Sequence, residues 1–181
     1  MSLLSEPLPR AEQQAFNLQR WEEILADASL AELPHRIETD GLGEIIMSPP
    51  TASFHARRCH AIVRTLDQLL RDGEAFTECP INTVDGVRAA DVVWISAGRL
   101  DVVKEQAVYT IAPEICVEVI SPSEYPRQRR HKRGLYFDAG AVEVWECGED
   151  GAMRFYLAEA PDEPRERSAL CPAFPAEIGL P

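Results

Sequence analysis

No apolar run in this sequence approaches the roughly 18 to 20 residues that a membrane-spanning helix needs. The opening stretch MSLLSEPLPR lacks the basic flank and long apolar segment of a secretory signal, so a soluble, cytoplasmic protein with no membrane partner is expected. Paired cysteines are missing too. Cys59, Cys79, Cys116, Cys147 and Cys171 are an odd number, stand at least 20 residues apart and never form C-x-x-C. That spacing disfavours a zinc site and a disulfide framework and leaves small buried apolar residues. Basic charge is scarce: 18 Lys and Arg against 30 Asp and Glu give −12, which argues against wrapping nucleic acid nonspecifically over a broad surface. Ser121, His131 and Asp138 come without a G-x-S-x-G elbow, and the G-L-G at Gly41 to Gly43 lacks its third glycine and a following helix. Serine-hydrolase and dinucleotide-binding readings are thereby set aside.

What is present suits one ordinary domain: 181 residues, of which 45% are hydrophobic, can bury a real core. Residues 11–28 carry Phe16, Trp21, Ile24, Leu25 and Ala28 on roughly one helical face and predict an amphipathic helix ending before Pro34. HRIET and GEIIMS flank Asp40-Gly41 and read as two short strands. Between Ala52 and Arg71 the apolar residues Cys59, Ile62, Val63, Leu66, Leu69 and Leu70 follow helical spacing, with Gly73 as a stop. FTECPINTV and RAADVVWIS around Asp85-Gly86 predict an antiparallel hairpin. After an irregular stretch from Ala97 to Ala112 come a strand in PEICVEVISPS, a helix from about Pro126 to Ala139, and a strand VEVWEC. Strand, helix, strand implies a right-handed parallel crossover. MRFYLA is expected to add an edge strand, and PDEPRERS with the proline-rich end to form a weakly structured tail.

Two carboxylates interrupt this pattern. Glu118 sits in the apolar run CVEVI, and an ionised carboxylate taken out of water costs several kcal/mol unless it gains a partner or a proton. Asp91 opens the apolar run VVWI on a strand that can neighbour it; taken alone, it reads first as a solvated strand-start residue. Two carboxylates converging at a sheet edge make a hard oxygen site that suits Mg²⁺, which would be the partner Glu118 requires. A metal there would activate water and offset charge on a phosphate. RQRRHKR, Arg127 to Arg133, holds four Arg and one Lys with no acid, and Lys132 lies on the helix leaving the Glu118 strand. Such a run reads equally as a solvated face or as phosphate contacts, with Arg127 and Arg130 the candidates for substrate binding.

EIIMSPP, DGVRAADVVWIS, PEICVEVISPS and HKRGLYFDAGAVEVWE, in that order and spacing, resemble the Uma2 family of restriction endonucleases, a branch of the PD-(D/E)xK nuclease superfamily. The resemblance covers about Ile37 to Leu157. It implies an α/β fold: a restriction-endonuclease-like core of helix, three strands, helix and strand with a mixed central sheet, extended by an N-terminal helix and hairpin. The read order from Ala52 to Cys147 agrees. The expected parts are a helical segment over 1–34 packing on the core, a nuclease domain over 35–160 and a C-terminal tail over 161–181.

Residue by residue, the resemblance makes Asp91 the first acid, with Ala90 where a proline is usual, and Glu118 the second. The superfamily's usual Lys would fall at Ile120; in this family the following helix supplies it, and Lys132 matches that place. Glu44 matches a further acid in GEIIMSP, and His55 a family histidine at the start of the strong helix. The implied function is Mg²⁺-dependent hydrolysis of DNA phosphodiester bonds, with Mn²⁺ able to substitute. Asp91, Glu118 and the backbone carbonyl of Val119 would hold the metal, Glu44 would assist, and Lys132 would stabilise developing negative charge. A homodimer is expected, because cutting both strands of a duplex favours twofold-related sites. The rival is a noncatalytic nucleic-acid- or protein-binding module that keeps the nuclease fold.

Overall fold

The computed structural model describes residues 8–33, 35–48, 52–122 and 124–179. Pro49, Pro50 and Ser123 of the quoted motifs lie outside the described residues, as do the first seven residues. Helix α1 spans Arg10–Ala26 and a short α2 Ala28–Ala31. A hairpin of β1, Arg36–Thr39, and β2, Ile45–Ser48, follows. Then come α3 (Ser53–Leu69), β3 (Gly73–Thr83), β4 (Gly86–Ser96), α4 (Ala97–Val103), β5 (Ile115–Val119), α5 (Pro126–Asp138), β6 (Glu143–Cys147), β7 (Met153–Leu157) and β8 (Ala160–Arg165). Strands β3 to β8 form one six-stranded sheet in sequence order, antiparallel except for the β5–β6 pair. The core order is therefore helix, three strands, helix, strand, as the resemblance implied. Among the described residues no helix is long and apolar enough to cross a membrane.

Helices cover both faces of the sheet, which is why β5 reads as an unbroken apolar run around Glu118. On one face Cys59, Ile62 and Leu66 of α3 pack on Val92, Trp94, Val117, Trp145 and Phe155. Ile62 and Leu66 are fully buried, each worth about 1.5–3 kcal/mol of transfer free energy. On the other face Tyr136 of α5 packs on Val93, Cys116 and Val144. All five cysteines are buried and unbridged. At the β3–β4 turn Gly86 has φ +84°, and a Cβ there would meet the Thr39 carbonyl oxygen at 2.1 Å, so only glycine lets β1 approach this hairpin.

The structure departs from the sequence reading in four places. Helix α1 docks by a polar seam: Asn17 donates to Asn82 Oδ1 and to the Thr83 carbonyl, both at 2.8 Å, and Gln13 donates to the Gly41 carbonyl at 2.9 Å. Phe16 and Leu25, assigned to the apolar face, are exposed in consequence. Ala97–Val103 is helical rather than irregular, with the Ser96 side chain accepting from the Arg99 N–H as a cap. MRFYL is not an edge strand, because APDEPR pairs with it as β8 and takes the edge. Nor is the C-terminal stretch weakly structured. Cys171, Phe174 and Ile178 join the α3-side core, and Phe174 meets Trp145 at 4.6 Å between ring centroids. Fully buried Glu143 anchors this stretch by accepting from the Ser168 hydroxyl and from the Ala169 and Leu170 N–H groups, each at 2.7 Å.

Candidate active site

The β4–β5 register pairs Val92 with Val117, and the residues just beyond that pair are Asp91 and Glu118. Both are buried at the sheet's centre, where one packing face ends and the β1–β2 hairpin begins. Asp91 is oriented by its neighbour strand: the Val119 N–H donates to Oδ2 at 2.8 Å. Its Oδ1 accepts from Arg36 Nη1 of β1 and lies 3.5 Å from His55 Nε2 in the first turn of α3. Glu118 is held from α5. Tyr136 donates its hydroxyl hydrogen to Oε1 at 2.7 Å, and Lys132 Nζ donates to Oε2 at 3.0 Å. The helix starts at Pro126, so Lys132 sits in its second turn and its stem reaches back over the end of β5.

A third acid enters from β1. Glu38 Oε1 accepts from the Ala89 N–H at 2.7 Å and stands 3.2 Å from Lys132 Nζ. Lys132 also donates to the Ala89 carbonyl at 3.2 Å, so its ammonium is pinned by two carboxylates and one carbonyl. Glu38 thus occupies a place for which the sequence reading had named Glu44. The structure does not bring Glu44 to this cluster: it is exposed in the β1–β2 turn, where its backbone N–H donates to Asp40 Oδ1, and its side chain makes no ion pair among the described residues.

Burial and charge split the two central carboxylates. For Glu118, burial dominates and, with the charge of Asp91, outweighs the attraction of Lys132 and Arg36, lifting its pKa from 4.5 to about 7. For Asp91, burial pushes up, but the His55 hydrogen bond and the charges of Arg36 and Lys132 prevail and hold it at about 2. The Asp91 hydrogen bond raises His55 above its usual value against the effect of burial. Burial lowers the Lys132 pKa, yet Glu118 and Glu38 more than offset it and hold it above the usual lysine value.

Asp91 Oδ2 and both Glu118 oxygens have one donor each, and a carboxylate oxygen can accept two bonds, so one acceptor position remains on each of these three, while Asp91 Oδ1 faces both Arg36 and His55. Arg36 Nε is buried and has no hydrogen-bond partner among the described residues. Among the described residues no three His, Cys, Asp or Glu side chains converge as a metal cage. A pair of hard oxygen ligands with room for waters and phosphate oxygens is the arrangement Mg²⁺ takes. Beside Asp91 a cavity of about 500 Å³ opens between α3 and β3.

The remaining sequence candidates lie apart. Arg130 is exposed and pairs with Asp162 of β8 at 2.5 Å, while Arg127 is exposed with no ion pair among the described residues. Arg129 and Arg133 turn to Glu146. His131 meets Asp85 and Asp138 meets Arg10, so no triad forms with Ser121. Three side chains that the structure brings to this cluster were missed by sequence reasoning: Glu38, Arg36 and Tyr136. The odd signal for the first two is a charge pair in the four-residue strand RIET.

A profile of the Uma2 family, described as "Putative restriction endonuclease", matches residues 21–179. Among solved structures the chain resembles that of a "putative nuclease belonging to DUF820" from Anabaena variabilis ATCC 29413. The two are 17% identical over 82% of this chain and 92% of that one, with a TM-score of 0.64. At that identity the likeness shows the fold, which is restriction-endonuclease-like. No curated protein matches significantly.

Proposed function

This chain belongs to the Uma2 family, and from that premise we propose that it is a Mg²⁺-dependent endonuclease acting on DNA, with its centre at Asp91, Glu118 and Lys132. The observation that carries the reading is Lys132: a lysine from the following helix meets Glu118 at 3.0 Å, next to an acid on the adjoining strand. Ile120, where the superfamily's lysine usually stands, is an apolar residue that cannot do that work.

Asp91 and Glu118 would hold Mg²⁺ or Mn²⁺ by their remaining acceptor positions, with the Val119 carbonyl as a further ligand. When bound, the cation supplies a water of lowered pKa and neutralises charge at the phosphate. The chain's own residues do the positioning. The Val119 N–H and the Tyr136 hydroxyl fix the two carboxylates, so that neither has to reorient as the substrate arrives. Glu38 holds Lys132 against Ala89 and aims the ammonium at the phosphate oxygens that gain charge. Arg36, whose Nε has no hydrogen-bond partner among the described residues, is a second donor for a phosphate oxygen. Exposed Arg127 and Arg130 contact flanking phosphates, and Arg130 must leave Asp162 to do so.

One observation favours the noncatalytic alternative: Arg36 and Lys132 already neutralise much of the acid cluster without any metal. Incubation of the protein with plasmid and single-stranded DNA, in Mg²⁺, Mn²⁺ or a chelator, separates the two. The nuclease reading expects cutting with either metal, none with the chelator, and none by Glu118→Gln. Intact DNA with every divalent metal would favour the binding module.

A further inference from the structure

A second cleft, of about 290 Å³, opens beyond the catalytic centre between the first turns of α5 and strands β7 and β8. The sheet register fixes its position: Glu118 pairs with Glu146 of β6, and Glu146 pairs with Arg154 of β7. Neighbouring strands lie about 4.8 Å apart, so the cleft begins one strand away from Glu118. Helix α5 serves both places. Lys132 turns to Glu118, while Arg129, three residues earlier and so its neighbour on the helix surface, lines the cleft.

The cleft holds more positive charge than its acids neutralise: Arg129, Arg130, Arg133 and Arg154 line it with Glu146 and Asp162. Every nitrogen of the Arg133 guanidinium has a partner, in the Pro161 carbonyl, Glu146 and Asp162, and the group lies 3.8 Å from the Tyr156 ring centroid. Arg130 pairs with Asp162. The other two are left over. Arg129 comes no closer to an acid than 3.8 Å, and its Nε is buried with no hydrogen-bond partner among the described residues. Exposed Arg154 makes no ion pair among them. A guanidinium stays charged and carries five donors, and a donor buried without an acceptor costs free energy, so Arg129 calls for an anionic acceptor. Two such groups in one cleft, one from a helix and one from a strand, suit the several oxygens of a phosphate.

Resting on the nuclease reading, we propose that Arg129 and Arg154 form a second phosphate site, which takes a backbone phosphate of the same nucleic-acid strand close to the one met by Lys132. Holding two phosphates fixes the register of the strand over Glu118 without reading any base. It also concentrates attraction for a polyanion at one edge of a chain whose net charge is −12.

The test follows binding of a labelled single strand by fluorescence anisotropy across a KCl series, with Ca²⁺ in place of Mg²⁺. The whole chain is used as wild type, as the pair Arg129→Gln/Arg154→Gln, and as the charge-matched pair Arg64→Gln/Arg71→Gln at exposed positions. In the cleft pair Arg133 still holds Glu146, so that acid keeps a partner. On a single strand each phosphate contact adds about 0.7 to the slope of log affinity against log salt. The cleft pair is expected to bind more weakly at low salt with a slope shallower by about 0.7, and the control pair to keep the wild-type slope. Arg154→Gln alone, on an exposed strand position, is expected to move the slope the same way and replaces the pair should the pair not fold. An unchanged slope in the folded cleft variants, an equal fall in the control pair, or no binding of the strand by wild type overturns the proposal. Mg²⁺-dependent cleavage by the same wild-type preparation reports separately on the nuclease reading: a strand bound with this slope pattern but never cut keeps the phosphate site and removes the nuclease.

Discussion

Lys132 Nζ stands 3.0 Å from Glu118 Oε2, across 14 residues of sequence, and 3.2 Å from Glu38 Oε1 on a strand almost a hundred residues earlier. One ammonium therefore joins the crossover helix, the central strand and the added N-terminal hairpin. It compensates buried charge.

The first prediction follows from that compensation. Lys132→Met leaves Glu118 and Glu38 buried with one cation fewer, and breaking a buried pair from one side costs about 3 kcal/mol or more. For a chain of this size the metal-free melting temperature should fall by roughly 6–12 °C. Mg²⁺ should recover much of the loss, since a bound dication restores the missing charge and stabilises by linkage. Thermal melts with and without Mg²⁺ check this; a variant that melts with wild type in chelator would show that Lys132 does not neutralise the site.

Glu38 and Glu44 should separate cleanly. Glu38→Gln weakens the hold on Lys132 while keeping the side chain's shape, so cleavage should fall about tenfold or more. Glu44→Gln, at an exposed turn, should stay within about twofold of wild type. Rates measured side by side on one DNA substrate decide it, and the reverse order would return Glu44 to the site.

Much of the fold was legible because its long elements obey one period each. The α3 stretch repeats apolar residues at helical spacing, and β3 and β4 flank a turn that needs Gly86. The elements that escaped are short or polar. Helix α4 buries only Val103, so it leaves no periodic trace. Strand β8, APDEPR, carries two prolines and three charged residues and is solvent-facing, which is how an edge strand avoids further pairing but also how a loop reads. In the site, Glu118 was visible as a charge inside an apolar run, and Asp91 as its neighbour. Glu38 and Arg36 were not, because alternating charge in a four-residue strand is what a solvated strand also shows; only the docking of β1 on β4 buries them.

The raised pKa of Glu118 makes metal-free stability depend on pH with a defined sign. Between about 4.5 and about 7 the folded chain keeps a proton that the unfolded chain has lost, so this contribution is full below the lower value and is lost as pH rises through the upper one. At about 1.4 kcal/mol per pKa unit the loss amounts to roughly 3 kcal/mol. Asp91, held at about 2, acts in a separate window, stabilising above 3.8 and losing that contribution only as pH falls through about 2. Denaturant unfolding in chelator should therefore show wild type weakening from pH 5 to pH 8 more than Glu118→Gln does. Parallel curves for the two proteins would place Glu118 in an ordinary ionisation state.

The most direct measurement of the central claim is the single-turnover rate of DNA cleavage by Lys132→Met beside wild type, at saturating Mg²⁺ and at a temperature where both are folded. The account predicts a rate lower by roughly 10² to 10³, the scale for losing one preorganised electrostatic stabiliser, with substrate binding little changed. Equal rates in the two proteins would contradict the assignment of Lys132 to the catalytic centre.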